Sequence, residues 1–190
     1  MTDSTPQAVR PPVALGCVGA LAAVVVLGAF LVFFIIFLDS GADTGKVRLE
    51  VPEAYAEGSI EFIGEKNFFL VRLRDGSFLA LSDLDAANRA NQARRCRVQL
   101  TPLSDPGIAA DADQLRGQMS AQSQGAASVL RETCNGAIYD LAGARLVGEG
   151  PNLDRFPISI DGQGRLLVDS SKRECSERAG GTAFASIDCP

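Results

Sequence analysis

The chain has 190 residues, a formal net charge of −5, and neither tryptophan nor histidine. Without histidine there can be no Ser-His-Asp or Cys-His catalytic set and no imidazole-ligated metal, and the acidic balance argues against a nucleic-acid-binding surface. Hydrophobic residues make up 46% of the chain but aromatics only 6%, so the apolar content is concentrated in one place.

That place follows a tail of residues 1–12, whose only charges are Asp3 and Arg10. Residues 13–38 carry no charge, no proline and no strongly hydrogen-bonding side chain. At about 1.5 Å per residue a helix of this length reaches roughly 39 Å, against a hydrocarbon core of about 30 Å. The run exceeds the apolar region of a cleaved signal peptide and ends in Phe33-Phe34-Ile35-Ile36-Phe37-Leu38-Asp39, which offers no small-residue cleavage site. A retained single-pass membrane anchor is expected. Arg10 before the run and Asp39 after it favour a cytoplasmic N-terminus, although Lys46 and Arg48 weaken the charge asymmetry. Residues 39–46 read as a short linker.

Residues 47–190 form one domain in strand-and-turn pattern. Residues 47–51 and 59–63 are expected strands. The clearest unit is Phe68-Phe69-Leu70-Val71-Arg72-Leu73-Arg74, then Asp75-Gly76, then Ser77-Phe78-Leu79-Ala80-Leu81. Asp-Gly between two β-prone runs signals a two-residue hairpin turn with positive φ at both central positions. That register pairs Leu73 with Phe78 and Val71 with Ala80, so Phe69, Val71, Leu73, Phe78 and Ala80 share a face. A second hairpin is expected across Ala142-Gly143 and a third across Asp161-Gly162-Gln163-Gly164. Between them, residues 101–129 shift to Ala, Gln, Ser, Gly and Asp and read as a surface insertion, disordered or contacting a partner, with a short helix near residues 109–119. Short strands between turn signals predict an all-β, antiparallel sandwich or barrel.

Outside the apolar run lie four cysteines, Cys96, Cys134, Cys175 and Cys189. Four cysteines allow three connectivities. Cys175 and Cys189 can close a local Gly- and Ser-rich loop, clasping residues 170–190, which leaves Cys96 for Cys134. Free or metal-binding cysteines are the alternative, although no Cys-x-x-Cys spacing supports zinc. Two disulfides place the domain on the extracytoplasmic side of a plasma membrane.

Two stretches carry a family resemblance. Phe69-Leu70-Val71-Arg72-Leu73-Arg74-Asp75-Gly76-Ser77-Phe78-Leu79-Ala80-Leu81-Ser82-Asp83 resembles the hairpin before the first cluster-binding loop of Rieske [2Fe–2S] domains. Cys134-Asn135-Gly136-Ala137-Ile138-Tyr139-Asp140-Leu141-Ala142-Gly143, with Gly150-Pro151-Asn152-Leu153-Asp154-Arg155-Phe156-Pro157-Ile158, resembles the second loop and the strands after it. The resemblance covers roughly residues 60–169 and implies a Rieske-like β fold. In that family each loop supplies one Cys and one His to the cluster, and respiratory members add a disulfide between the loops. Carried over by position, the disulfide falls on Cys96 and Cys134. The ligand positions of the second loop fall on Glu132 and Asn135, and those of the first near Asn91 and Ala93. Within the second loop Gly136 is followed by Ala137 where the family carries a hydroxyl, while the tyrosine is kept as Tyr139.

The resemblance with its ligands replaced implies a non-catalytic, cluster-free module: a structural or accessory subunit of a membrane redox complex. Its partners would be the membrane and integral-membrane proteins, with no cofactor, no nucleic acid and no small-molecule substrate identified. One alternative is electron transfer by a [2Fe–2S] centre held by non-standard ligands. The other is thiol–disulfide exchange at Cys96 and Cys134, where Arg94, Arg95 and Arg97 could lower a thiol pKa.

Overall fold

The computed structural model describes residues 24–35, 45–91, 95–178, 184–187 and 189. The chain divides into two compact units, residues 1–43 and 44–190. In the first, residues 24–35 form a helix, α1, whose side chains, Val24 to Ile35, are exposed. No helix among the described residues is long and apolar enough to cross a membrane. The rest of the expected anchor, 13–23 and 36–38, lies outside them.

The second unit is built of antiparallel strands: β1 (Lys46–Arg48), β2 (Ile60–Ile63), β3 (Phe68–Arg72), β4 (Phe78–Ser82), β5 (Val98–Pro102), β6 (Ser128–Glu132), β7 (Ile138–Tyr139), β8 (Arg145–Val147), β9 (Arg155–Phe156), β10 (Ile158–Ile160), β11 (Leu166–Asp169), β12 (Cys175–Arg178) and β13 (Phe184–Ile187). Two short helices join them, α2 (Ala86–Ala90) and α3 (Ala112–Gln118). Three sheets, ordered β2-β3-β4-β9, β5-β6-β7-β8 and β1-β11-β10, make the body, and β12-β13 is a separate hairpin.

The run Phe68-Phe69-Leu70-Val71 does not alternate in polarity because all four side chains are buried. A sheet covered on both faces has no wet side to be polar. On one face Phe69, Val71, Leu73 and Leu81 meet Val98, Leu130 and Tyr139 from β5-β6-β7. On the other Phe68, Leu70, Ala80 and Phe156 meet Val47, Leu166 and Val168 from β1 and β11. The sheet β2-β3-β4-β9 is thus the middle of three layers.

The β3–β4 hairpin differs from expectation by one register step. Val71 faces Leu79 and Leu70 faces Ala80. Asp75 does not take positive φ; only Gly76 does, at 82°. Leu73 accepts from Gly76 N–H at 3.0 Å and donates to Ser77 O at 2.8 Å, which makes a three-residue loop of a tight turn followed by a left-handed glycine. The step moves Phe78 and Ala80 onto the face of Phe68 and Leu70. Both outcomes bury the same residues, so hydrophobicity could not choose between them.

The second hairpin forms as β7–β8, shortened by a register irregularity at Ile138/Tyr139. The third forms as β10–β11, with Asp161 N–H donating to Arg165 O at 2.9 Å across its turn. Proline, lacking an N–H, cannot continue a ladder on both sides. At Pro157 the chain passes accordingly from the middle sheet, where β9 pairs with β4, to the outer sheet, where β10 pairs with β11.

Residues 101–129 differ from the loose insertion expected of their composition. They begin within β5, end within β6, and between the strands Leu103, Ile108, Ala112, Leu115 and Met119 bury themselves against Val129, Ile138 and Leu146. Polar bonds fasten the far end: Ser120 N–H donates to Asp140 Oδ2 at 2.8 Å and Ala142 N–H to Ser123 Oγ at 2.9 Å. At the C-terminus Cys175 is bonded to Cys189, with their Cα atoms 5.1 Å apart, and β12 pairs with β13 inside the clasped loop.

Candidate functional site

Three connections converge at one end of the β5-β6-β7-β8 sheet. The first runs from β4 to β5 and contains α2. The second is the tight β6–β7 turn, residues 133–137. The third, residues 148–154, joins β8 to β9. Cys96 of the first is bonded to Cys134 of the second, with Cα atoms 5.6 Å apart. Cys96 is buried while Cys134 lies exposed.

The base of the first connection is closed by its own ends. Both carboxylate oxygens of Asp83 accept from Arg97 Nη1 at 3.0 Å, and Val98 N–H donates to Asp83 O at 2.8 Å. Burial raises the Asp83 pKa above its ordinary value, and Arg97 pulls it partly back. The first two connections are also stitched by backbone: Thr133 N–H donates to Arg97 O at 3.0 Å, and Arg97 N–H to Thr133 Oγ1 at 3.2 Å.

Glu132, the last residue of β6, has 0% exposure. Ionised carboxylates are almost never fully buried unless their oxygens are satisfied. Its Oε1 accepts from Cys134 N–H at 2.8 Å and from Asn88 Nδ2 at 3.1 Å, and its Oε2 accepts a short bond from Asn135 N–H. One side chain thereby holds the second turn from inside and ties it to α2. Asp85 caps α2 by accepting from Asn88 N–H at 2.8 Å, which orients the Asn88 amide.

Arg145 on β8 is also buried. Its Nη2 stands 3.8 Å from Asp85 Oδ2, its Nε donates to Val147 O at 3.4 Å, and its guanidinium lies 5.0 Å over the ring of Tyr139. Burial raises the Tyr139 pKa beyond the usual tyrosine range; Arg145 opposes this and Asp85 and Glu132 add to it. The third connection is laid directly on the arginine. Gly150 has φ of 119°, and a Cβ there would meet Arg145 Nη1 at 2.5 Å. Gly150→Ala is expected to cost about 2–3 kcal/mol from the strained backbone and the overlap. Gly162→Ala, in open space, is the control that thermal unfolding should find near neutral. Asp85, Ala86, Asn135, Ala137, Arg145 and the third connection border a cavity of about 340 Å³.

Of the positions singled out in the sequence, Cys96, Cys134, Glu132, Asn135, Gly136, Ala137 and Tyr139 are brought together here. Asn135 and Ala137 line the cavity, Gly136 takes the positive φ of the turn at 70°, and Ala137 O accepts from Glu132 N–H at 2.8 Å. Asn91 stands exposed at the end of α2, its N–H donating to Asn88 O at 3.2 Å. Ala93 lies outside the described residues. Sequence reasoning missed Asp85, Asn88 and Arg145. The Asp-x-x-Asn spacing was the available signal for the cap, on a helix of five residues that shows no periodicity. The signal for Glu132 was strand alternation, which sets it on the face of buried Leu130.

A Rieske centre needs two thiolates on one iron and two imidazoles on the other. The donor set here is two sulfurs bonded to each other, a carboxylate already accepting three N–H groups, and Asn135, in a chain without histidine. These residues do not fit a [2Fe–2S] cluster.

No family model matches the sequence, and no curated protein matches it. Among solved structures, the comparison finds a chain assigned as an NADH-dependent nitrite reductase small subunit from Mycobacterium tuberculosis. It is 18% identical with a TM-score of 0.30, over 65% of this chain and 92% of that one.

Proposed function

We infer that the chain is a cluster-free, Rieske-like module anchored in the plasma membrane by residues 13–38. Its N-terminus is cytoplasmic and its β domain extracytoplasmic, and it serves as a non-catalytic structural or accessory subunit of a membrane redox complex. The observation that carries this reading is Glu132. Where the family resemblance sets a cluster cysteine, this chain buries a carboxylate that satisfies the N–H groups of the turn itself. The turn therefore keeps its shape through internal bonds and the bridge to Cys96, and needs no metal to do so.

The anchor is supported by the uncharged run 13–38 and by the fully apolar, exposed side chains of α1. The compartment is supported by two disulfides. An accessory subunit acts through what it touches, so its partners are integral-membrane proteins of the complex. The test is to extract the full chain from its native membrane in mild detergent, identify what co-purifies, and assay iron on the chain. Companion integral-membrane subunits in fixed ratio, with no stoichiometric iron on this chain, are expected. Recovery of the chain alone, or one cluster's worth of iron per chain, would overturn the reading.

A further inference from the structure

Cys96 Sγ, Cys134 Sγ and a carboxylate oxygen of Glu132 all lie within 4.8 Å of one another. In the oxidised protein the two sulfurs are spent on their mutual bond, and Glu132 sits beside them as an acceptor of N–H groups. The geometry points to a redox-gated metal site: reduction of the Cys96–Cys134 bridge creates a two-thiolate, one-carboxylate site for a thiophilic divalent cation, of which Zn²⁺ is the natural occupant. This goes beyond the accessory role and does not depend on the family resemblance.

The distances suit the chemistry. Tetrahedral zinc with Zn–S bonds of about 2.3 Å and Zn–O bonds of about 2.0–2.2 Å sets its ligand atoms roughly 3.5–3.8 Å apart. Breaking the bridge lets the sulfurs separate toward that spacing, while their Cα atoms, 5.6 Å apart, can stay where they are. Glu132 needs to close by about 1.3 Å at most. It can ligate through one oxygen while the other keeps a backbone bond, and Asn88 and the turn N–H groups then orient the ligand as outer-shell partners do. Asn88 Oδ1, on the amide that already holds Glu132, is buried without a hydrogen-bond partner among the described residues, a polar atom whose desolvation is uncompensated. The fourth position is left to water.

The redox step balances simply. A dithiol reductant reaches the exposed Cys134 sulfur, delivers two electrons and two protons to the bridge, and leaves as its own disulfide. The metal then displaces one proton from each thiol.

The test uses the full chain in detergent with Cys17→Ser, Cys175→Ser and Cys189→Ser, so that only Cys96 and Cys134 can supply thiols. Co²⁺ is titrated before and after anaerobic treatment with a phosphine, which takes up one oxygen from water as it reduces the bridge. One Co²⁺ per chain with sulfur-to-cobalt charge-transfer absorption, displaced by Zn²⁺ and seen only after reduction, is expected. Glu132→Gln should weaken binding by about tenfold or more with the thiol count unchanged. If the triple variant does not fold, wild type and Cys134→Ser are compared in the same titration, and only wild type should gain the cobalt site. Equal uptake before and after reduction, equal uptake by Cys134→Ser, or unaltered affinity in Glu132→Gln would overturn the proposal.

Discussion

Glu132→Ala is expected to lower the unfolding free energy by about 3–5 kcal/mol, because it strands three buried or half-buried donors rather than because it removes a charge. Cys134 N–H, Asn135 N–H and Asn88 Nδ2 all donate to the carboxylate and lose their acceptor together when it is removed. Glu132→Gln separates the two causes. Its carbonyl can serve Asn88 and Cys134, but its amide then faces Asn135 N–H donor to donor, so an intermediate loss of about 1–3 kcal/mol is expected. Urea denaturation of the full chain in detergent, followed by far-ultraviolet circular dichroism, gives the order wild type, Gln, Ala. Wild-type stability in Glu132→Ala would mean that the turn is held by something other than this side chain.

Cys134→Ser comes next, with an expected loss of about 3–4 kcal/mol in the chain-entropy account of a loop this size. The bridge spans a sequence separation of 38 and joins two connections otherwise tied by the Arg97–Thr133 pair and by the Asn88–Glu132 bond. Under non-reducing conditions the variant should melt well below wild type. With phosphine and a metal chelator present the two should converge, since both then lack the bond. An unchanged melting temperature without reductant would show that Glu132 and the Asp83–Arg97 clamp suffice alone.

How much of this was legible beforehand depended on how far each signal reaches along the chain. The Cys175–Cys189 clasp is local, and with it paired only one partner remained for Cys96. Turn glycines marked all three hairpins. The register of β3–β4 was not legible, because Phe68 to Val71 are buried on both faces and a one-residue slip changes no polarity. Residues 103–119 misled for a related reason. Their apolar side chains are sparse among Ala, Ser and Asp, yet Leu115 and Met119 land on one patch made by β6, β7 and β8, a surface that exists only once the sheet has formed. Glu132 stood out in the sequence as a missing ligand. That it acts as a structural acceptor could be seen only after α2 had been folded beside it, since Asn88 lies 44 positions away.

The clamp between Asp83 and Arg97, reinforced by Val98 N–H on Asp83 O, closes the connection that carries α2 at its two ends. At the clamp the chain leaves β4 of one sheet and re-enters β5 of another, so both ends of the span are pinned at one point between the two sheets. Such a frame sets where the span begins and ends, while its contents are moored separately, Asn88 to Glu132 and Cys96 to Cys134.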